Sequence, residues 1–317
     1  MKISVLIPAY NAEATIKATL NSVLSQTTLP DEIIVLDDGS TDNTASLVDS
    51  YRPRVTLLRQ TNAGVASARN TLCQVARGDF LAFLDSDDIW HSTYLGVQQK
   101  LFRSYPDASA FFTGHVDFNG YTNYAWKLDP VCSVPAVELF GPLEFFERYN
   151  QATGSFACMS YCCIPKCVLP EIGCEPFGVS GAEDSYFCDL LALLGRPVVF
   201  APSPLVAYRL TTSSLSANHL RTFGLWVKAF QMLEARYRKS ANADLLEAFG
   251  MAFASKRRQY AKLLMGAGHV SEARNQLCCS LGNSFDPLSM AKSIVLLFLS
   301  CLPSRLQPSW PSSQRRS

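Results

Sequence analysis

Between residues 3 and 118, short apolar runs alternate with amphipathic segments, and this alternation narrows the possible folds more than any other feature of the chain. The runs at 3–8, 32–36, 55–60, 80–84 and 109–118 are strand-length and nearly continuous in apolar residues. In the first intervening segment Ile16, Leu20, Val23 and Leu24 fall on one helical face, and further helices are expected at 43–51, 65–76 and 92–105. Strands without polar alternation are buried on both faces. The pattern therefore predicts an α/β fold, a mostly parallel sheet flanked by helices.

Two of these runs end in carboxylates. "EIIVL" stops at Asp37 and Asp38, and "FLAFL" stops at Asp85, Asp87 and Asp88. Open α/β sheets bind ligands beyond the carboxyl ends of their strands. If both strands are parallel, these carboxylates meet at one edge and repel, unless a cation or the donor groups of a ligand relieve them. In "LDSDD", an Asp-x-Asp on a loop offers hard oxygen ligands suited to Mg²⁺ or Mn²⁺, with water and phosphate oxygens left to complete the shell. The same loop also reads as a polar N-cap, through Asp88 or Ser92, for the helix that follows. The chain contains neither G-x-x-x-x-G-K-[ST] nor G-x-G-x-x-G. The charge of a bound nucleotide would then fall to a metal and a basic group. Arg69 in "NAGVASARN" is the candidate, near a helix N-terminus that itself favours anions; the alternative is a surface arginine on an alanine-rich helix.

The remainder is looser. A helix is expected at 141–150, a strand at 159–164, and a loop turning into a helix at 181–195. "PVVFAPSPLVAYRL" reads as a strand, a proline-broken turn and a short strand. From about 220 the chain is helical, at 220–238, 244–265, 270–281 and 287–302; "GAGHVSEARNQL" resembles one hairpin of a helical repeat, in a single copy. Lys plus Arg total 28 against 27 acidic residues, which gives no reason to expect nucleic acid. The N-terminus lacks the form of a signal peptide, and no stretch reaches the roughly 18 to 20 apolar residues of a spanning helix. A cytoplasmic chain is expected. The apolar run at 293–302 and the tail with Arg305, Trp310, Arg315 and Arg316 allow two outcomes: peripheral contact with the inner face of a membrane, or packing of 294–302 on the preceding helices with a disordered tail. Of eleven cysteines, five cluster as Cys158, Cys162, Cys163, Cys167 and Cys174. They lack paired C-x-x-C units and any histidine, so buried free thiols are expected rather than zinc ligands.

"SVLIPAYNAEATIKATLNSVLSQT", "EIIVLDDGSTDNT", "NAGVASARN", "GDFLAFLDSDDIW", "GAEDSYF" and "LVAYRLTTSSLS" resemble, in order and at about the same spacing, the motifs of the inverting nucleotide-sugar glycosyltransferases of family 2, which have the GT-A fold. The resemblance covers about residues 1–216. It implies donor binding by about 1–118 and an acceptor side at about 119–216; beyond it, the residue pattern itself reads as a helical extension at 217–302 and a disordered tail at 303–317. Pro8, Ala9 and Tyr10 would line the nucleoside pocket, and Asp38 would accept a hydrogen bond from the base while Asp37 supports the turn. Arg69 would lie near base and diphosphate. Asp85 and Asp87 would form the Asp-x-Asp that holds Mn²⁺ or Mg²⁺, with Ser86 among the donor-binding residues. Asp184 would be the general base and Glu183 would support its loop; the residues alone equally allow Asp184 to cap a helix at 185–194. The implied activity is transfer of a sugar from a nucleotide-diphosphate donor to a hydroxyl of a glycan or lipid-linked acceptor, in cell-surface polysaccharide or glycoconjugate synthesis. Two departures stand out: Thr211 replaces a histidine that can approach the metal, and "IGCEPFGVSGAED" replaces a Gly-Gly-Phe-Asp turn. The alternative is a non-catalytic sugar-nucleotide-binding or scaffold protein that kept the fold. A nucleotidyltransferase would need a glycine-rich N-terminal loop, which is missing.

Overall fold

A computed structural model of the chain describes residues 1–120, 124, 126, 136–151, 157–173, 176–210, 218–240, 242–284, 286–302 and 307–311. It divides into two compact units, Met1–Thr211 and Thr212–Ser317.

The first unit is built on one mixed sheet. β1 (Ile3–Ala9), β2 (Glu32–Asp37), β3 (Thr56–Arg59) and β4 (Phe80–Phe83) form a parallel block in the order β3-β2-β1-β4. Every residue of β1 and β4 is buried, which is why these strands read as unbroken apolar runs. Helices α1 (Ile16–Leu24), α2 (Thr44–Asp49), α3 (Val65–Val75) and α4 (Tyr94–Ser104) connect and flank them. Beyond β4 the sheet continues through β8 (Cys162–Pro165), antiparallel to both neighbours, then β6 (Ala110–Phe118), β9 (Val198–Arg209) and β5 (Ile89–Trp90); β7 (Glu138–Phe140) also pairs with β9. Helices α5 (Pro142–Gln151), α6 (Leu169–Ile172) and α7 (Glu183–Ala192) complete the unit.

Two local expectations are corrected. The prolines at 202 and 204 do not end the strand: β9 runs from Val198 to Arg209 and pairs in parallel with β6 throughout, with register shifts on either side of Gly114. A Cβ at Gly114 would lie 2.4 Å from the Pro202 carbonyl oxygen. Glycine thus lets the irregularity form, and an irregularity tolerates a residue without an N–H. Nor does Asp88 or Ser92 cap α4. The cap position is Thr93, without a side-chain cap bond, and Asp88 faces β9 instead.

The second unit contains α8 (His219–Tyr237), α9 (Ala243–Gly266), α10 (Val270–Leu281) and α11 (Pro287–Cys301). Asn218, Asn242 and Asp286 cap α8, α9 and α11 by accepting backbone N–H bonds. Phe230, Tyr237, Phe249 and Phe253 join α8 to α9, with the Tyr237 and Phe249 rings stacked 4.0 Å apart. Ala261, Leu264, Met265, Ala273 and Leu277 form a second cluster, against which Leu296, Leu297 and Trp310 pack.

Candidate active site

Because β1, β2 and β4 are parallel neighbours, Tyr10, the Asp37–Asp38 step and the Asp85–Asp88 loop leave the sheet at one edge. Pro8 and Ala9 are buried strand residues, whereas Tyr10 is 50% exposed.

The end of β2 is held by fixed donors. Asp37 accepts the Ser40 N–H at 3.0 Å and Arg59 Nε at 3.1 Å, closing the turn. Asp38 accepts Gln60 Nε2 at 2.7 Å, Ala63 N at 3.0 Å and Gly64 N at 2.8 Å. It thereby fixes the loop that launches α3. Gly64, the residue before the helix, has φ +87°, and a Cβ there would meet Ser180 Oγ at 2.6 Å.

α3 in turn delivers Arg69. Its side chain is buried, and its fork gathers three carboxylates: Nη2 to Asp85 at 2.6 Å, Nη1 to Asp184 at 3.0 Å and Nη1 to Glu183 at 3.2 Å. Its Nε has no hydrogen-bond partner among the described residues. Burial works against the guanidinium charge, but Asp85, Asp184 and Glu183 outweigh it and hold the pKa well above the ordinary arginine value.

The end of β4 is tied down through backbone groups more than through its carboxylates. The Asp85 N–H donates to Ser160 Oγ at 3.1 Å, and the Ser86 carbonyl accepts Thr15 and Thr19 hydroxyls at 2.9 and 3.0 Å. Arg209 Nε donates to the Asp87 carbonyl at 2.6 Å, and the Arg209 N–H to Asp88 Oδ1 at 2.8 Å. Burial and the charge of Asp85 push the Asp87 carboxyl up to about 6, although its own amide, Arg209 and Arg69 pull the other way. Burial, with Asp87 and Asp85 beside it, pushes Asp88 well above the usual carboxylate range.

Asp184 is the second residue of α7, not its cap; that position is Ala182, and it makes no side-chain cap bond. Its side chain is 29% exposed. Desolvation, with Glu183 and Asp85 nearby, raises its carboxyl to about 6 against the opposing charge of Arg69. Glu183 also accepts the Gly181 N–H and so braces the turn before the helix.

One cluster thus brings together Arg69, Asp85, Glu183 and Asp184, with Asp87 next along the loop, while the bonds of Asp38 run to the 60–64 loop. Thr211 lies outside the described residues, as does Cys174. Cys158, Cys162 and Cys163 are buried free thiols with raised pKa values, and Cys167 is exposed. Among the described residues no group of three or more His, Cys, Asp or Glu is arranged to hold a metal. A cation at the Asp-x-Asp would therefore take part of its shell from elsewhere.

The model for glycosyl transferase family 2 matches residues 4–165, just over half of the chain. The chain belongs to that family. The succinoglycan biosynthesis protein ExoW of Rhizobium meliloti (strain 1021) is 32% identical to this chain over 264 residues, which cover 76% of the chain and 81% of the relative. The Escherichia coli UDP-Glc:alpha-D-GlcNAc-diphosphoundecaprenol beta-1,3-glucosyltransferase WfgD is 48% identical over 98 residues, 30% of this chain and 39% of that enzyme. WfaP, the E. coli enzyme with the same description, is 40% identical over 111 residues, 44% of its length. The chain therefore spans less than half of each E. coli relative. S. aureus TarS 1-349, solved with UDP-GlcNAc, superposes with a TM-score of 0.67 over 95% of this chain and 90% of that one. At 16% identity it speaks to the fold, which is GT-A.

Sequence reasoning missed two residues that shape the site, Arg209 and Ser160. Arg209 lies inside the quoted "LVAYRLTTSSLS", and an arginine within an otherwise apolar strand run was a usable signal; it is buried beside the acidic loop. Ser160, which accepts from Asp85 and whose carbonyl accepts Trp90 Nε1 at 2.7 Å, had none in its cysteine-rich surroundings.

Proposed function

We propose that this glycosyltransferase moves a sugar, with inversion, from a uridine diphosphate donor to a hydroxyl of a glycan or lipid-linked acceptor in the synthesis of a cell-surface polysaccharide. The observation that carries the reading is the Arg69 fork. One guanidinium fixes Asp85 of the Asp-x-Asp loop and Asp184 at the head of α7, so the donor side and the base side share one site. The donor class follows the names of the E. coli relatives and the UDP-GlcNAc complex of TarS; the lipid-linked acceptor class follows the E. coli names.

In this reading Asp184 takes the proton of the acceptor hydroxyl as its oxygen bonds to the anomeric carbon. The bond from that carbon to the diphosphate oxygen breaks on the opposite face, and the nucleoside diphosphate leaves with the electron pair. A single displacement through an oxocarbenium-like transition state inverts the centre. Arg69 is a positioning residue: its fork orients Asp184 and Asp85 and lowers the proton affinity of Asp184. Tyr10, exposed at the end of β1, and Asp38, behind the 60–64 loop, are assigned to the nucleoside end, with Pro8 and Ala9 shaping the strand beneath. Ser86 presents the loop between the two carboxylates.

Asp85 and Asp87 would hold a divalent cation, Mg²⁺ or Mn²⁺. The fit rests on two partly exposed carboxylates two positions apart, one of them raised to about 6; with no third protein ligand joining them among the described residues, water and donor phosphate would complete the shell. Bound there, the cation would supply positive charge against the departing diphosphate.

The test is Asp184→Asn. Calorimetry is expected to show donor affinity retained, while transfer falls by roughly 10²–10⁴-fold, the range of a lost general base. Donor affinity collapsing in step with rate would make Asp184 a binding residue. Wild-type protein that binds donor but neither transfers nor hydrolyses it would favour the scaffold reading.

A further inference from the structure

α11 is amphipathic in the reverse sense. The side it turns into its own unit carries serines: Ser289, Ser293 and Ser300 are buried. They are satisfied by polar partners, with Arg258 Nη1 donating to Ser289 Oγ at 2.9 Å and Ser293 Oγ at 3.2 Å, Ser280 Oγ to Ser293 Oγ at 2.8 Å, and Arg274 Nη2 to the Ser300 carbonyl at 2.7 Å. The opposite side exposes Leu288 at 64%, Ile294 at 54%, Val295 at 55% and Phe298 at 66%. At about 100° per residue these four share one arc with exposed Ala291 and Lys292, and Leu296 and Leu297 turn inward to the second cluster. A surface helix normally does the opposite, burying its apolar side and exposing its polar one. Scattered exposed apolar residues are ordinary, but these four form one continuous strip along a helical face.

We propose that this face of α11 docks on an anionic lipid surface, with the helix lying in the interfacial plane. The charge distribution favours lipid. Residues 287–317 contain Lys292, Arg305, Arg315 and Arg316 and no Asp or Glu, in a chain whose net charge is only +1. This acid-free segment therefore carries a net positive charge, and the rest of the chain is net negative. Basic residues are attracted to an anionic headgroup layer, and an apolar helix face sinks about 5–10 Å into that layer. Spanning is not an option: fifteen residues at about 1.5 Å each reach roughly 22 Å of a core about 30 Å thick. Among the described residues no helix is long and apolar enough to cross a membrane. A second copy fits less well. A strip of this length and about 10 Å width offers on the order of 200 Å², against about 800 Å² per partner in a stable interface.

The experiment is vesicle co-sedimentation of the full chain, without sugar donor or acceptor, so that its outcome is independent of the proposed transfer activity. Vesicles of mixed phosphatidylglycerol and phosphatidylcholine are compared with phosphatidylcholine alone, and wild type with Ile294→Gln/Val295→Gln/Phe298→Gln. Wild type is expected to pellet with the anionic vesicles and to be released by high salt, and the triple variant to partition at least ~10-fold more weakly. The substituted side chains are exposed, so its melting temperature is expected to match wild type. If the triple variant melts early, Phe298→Gln alone is used and should still weaken pelleting several-fold. Equal recovery of wild type and variant, in supernatant or pellet, would overturn the proposal. A wild-type dimer seen by light scattering without vesicles, and lost in the variant, would also overturn it by assigning the face to a second copy.

Discussion

β2 ends in Asp37 and Asp38, β4 in Asp85, Asp87 and Asp88, and the two ends stand at the same sheet edge. At β2 the protein supplies the donors. Arg59, Gln60 and the N–H groups of Ser40, Ala63 and Gly64 all point at the two carboxylates. At β4 most of the anchoring goes to backbone atoms, Arg69 serves Asp85, and Asp87 and Asp88 are left with raised proton affinity. The first end is satisfied from within and builds the loop before α3. The second retains a charge problem that a cation would resolve. Similar short peptides thus encode a structural joint in one place and, in the proposed reading, a reactive one in the other, and what separates them is which donors the following loop brings back.

The sharpest way to break this comparison is Asp87→Asn. Asparagine keeps the shape and removes the charge that would bind a divalent cation. Transfer is expected to fall by roughly 10²-fold or more, with the fold intact and the residual rate insensitive to chelator. Unchanged turnover, with and without chelator, would remove the metal from the mechanism and make the two strand ends alike.

Asp38→Asn addresses the other side and should do the reverse. Whichever way the amide is turned, its NH₂ faces a backbone or side-chain donor that Asp38 now accepts. Leaving such a buried donor unmatched costs about 1–3 kcal/mol. Urea denaturation is expected to show that loss, while the dependence of turnover on added Mn²⁺ stays as in wild type. A stability-neutral Asp38→Asn that instead weakens donor binding would mean that the carboxylate serves the nucleobase more than the loop.

The alternating pattern made the parallel block legible, because buried strands must be continuously apolar and helices must be amphipathic. The strand-end carboxylates were legible too, since their position follows from strand direction. Less accessible was their division of labour. Gln60 and the Ala63 and Gly64 amides reach Asp38 only after the chain has crossed β3, and Glu183 and Asp184 reach Arg69 from 114 and 115 residues away. Nor could proline spacing reveal that β9 passes through two prolines, since Gly114 on the partner strand makes room for them. The reversed face of α11 was hidden in the same way. "SMAKSIVLLFLS" is apolar on average, and only the positions of Arg258, Arg274 and Ser280 show that its serines face inward.

The smallest expected effect is a pH-dependent one, and it bears on the same contrast. Asp87 has a folded-state pKa of about 6 against an ordinary 3.8. A carboxyl raised in this way binds its proton more tightly folded than unfolded. Its favourable contribution is therefore fully present below about 3.8 and is lost as pH rises through about 6. Asp87→Asn mimics the protonated form at every pH. In buffers with chelator, the melting temperatures of wild type and variant should nearly coincide at the acidic end of this window. They should separate as pH rises, with the variant higher by roughly a few degrees above about 6 and flat thereafter. Added Mn²⁺ should close the gap by stabilising wild type alone. The opposite slope, with wild type gaining on the variant as pH rises in chelator, would mean that the protein already stabilises the charged Asp87 carboxylate. The end of β4 would then be as self-sufficient as the end of β2, and the case for a cation there would lose its physical basis.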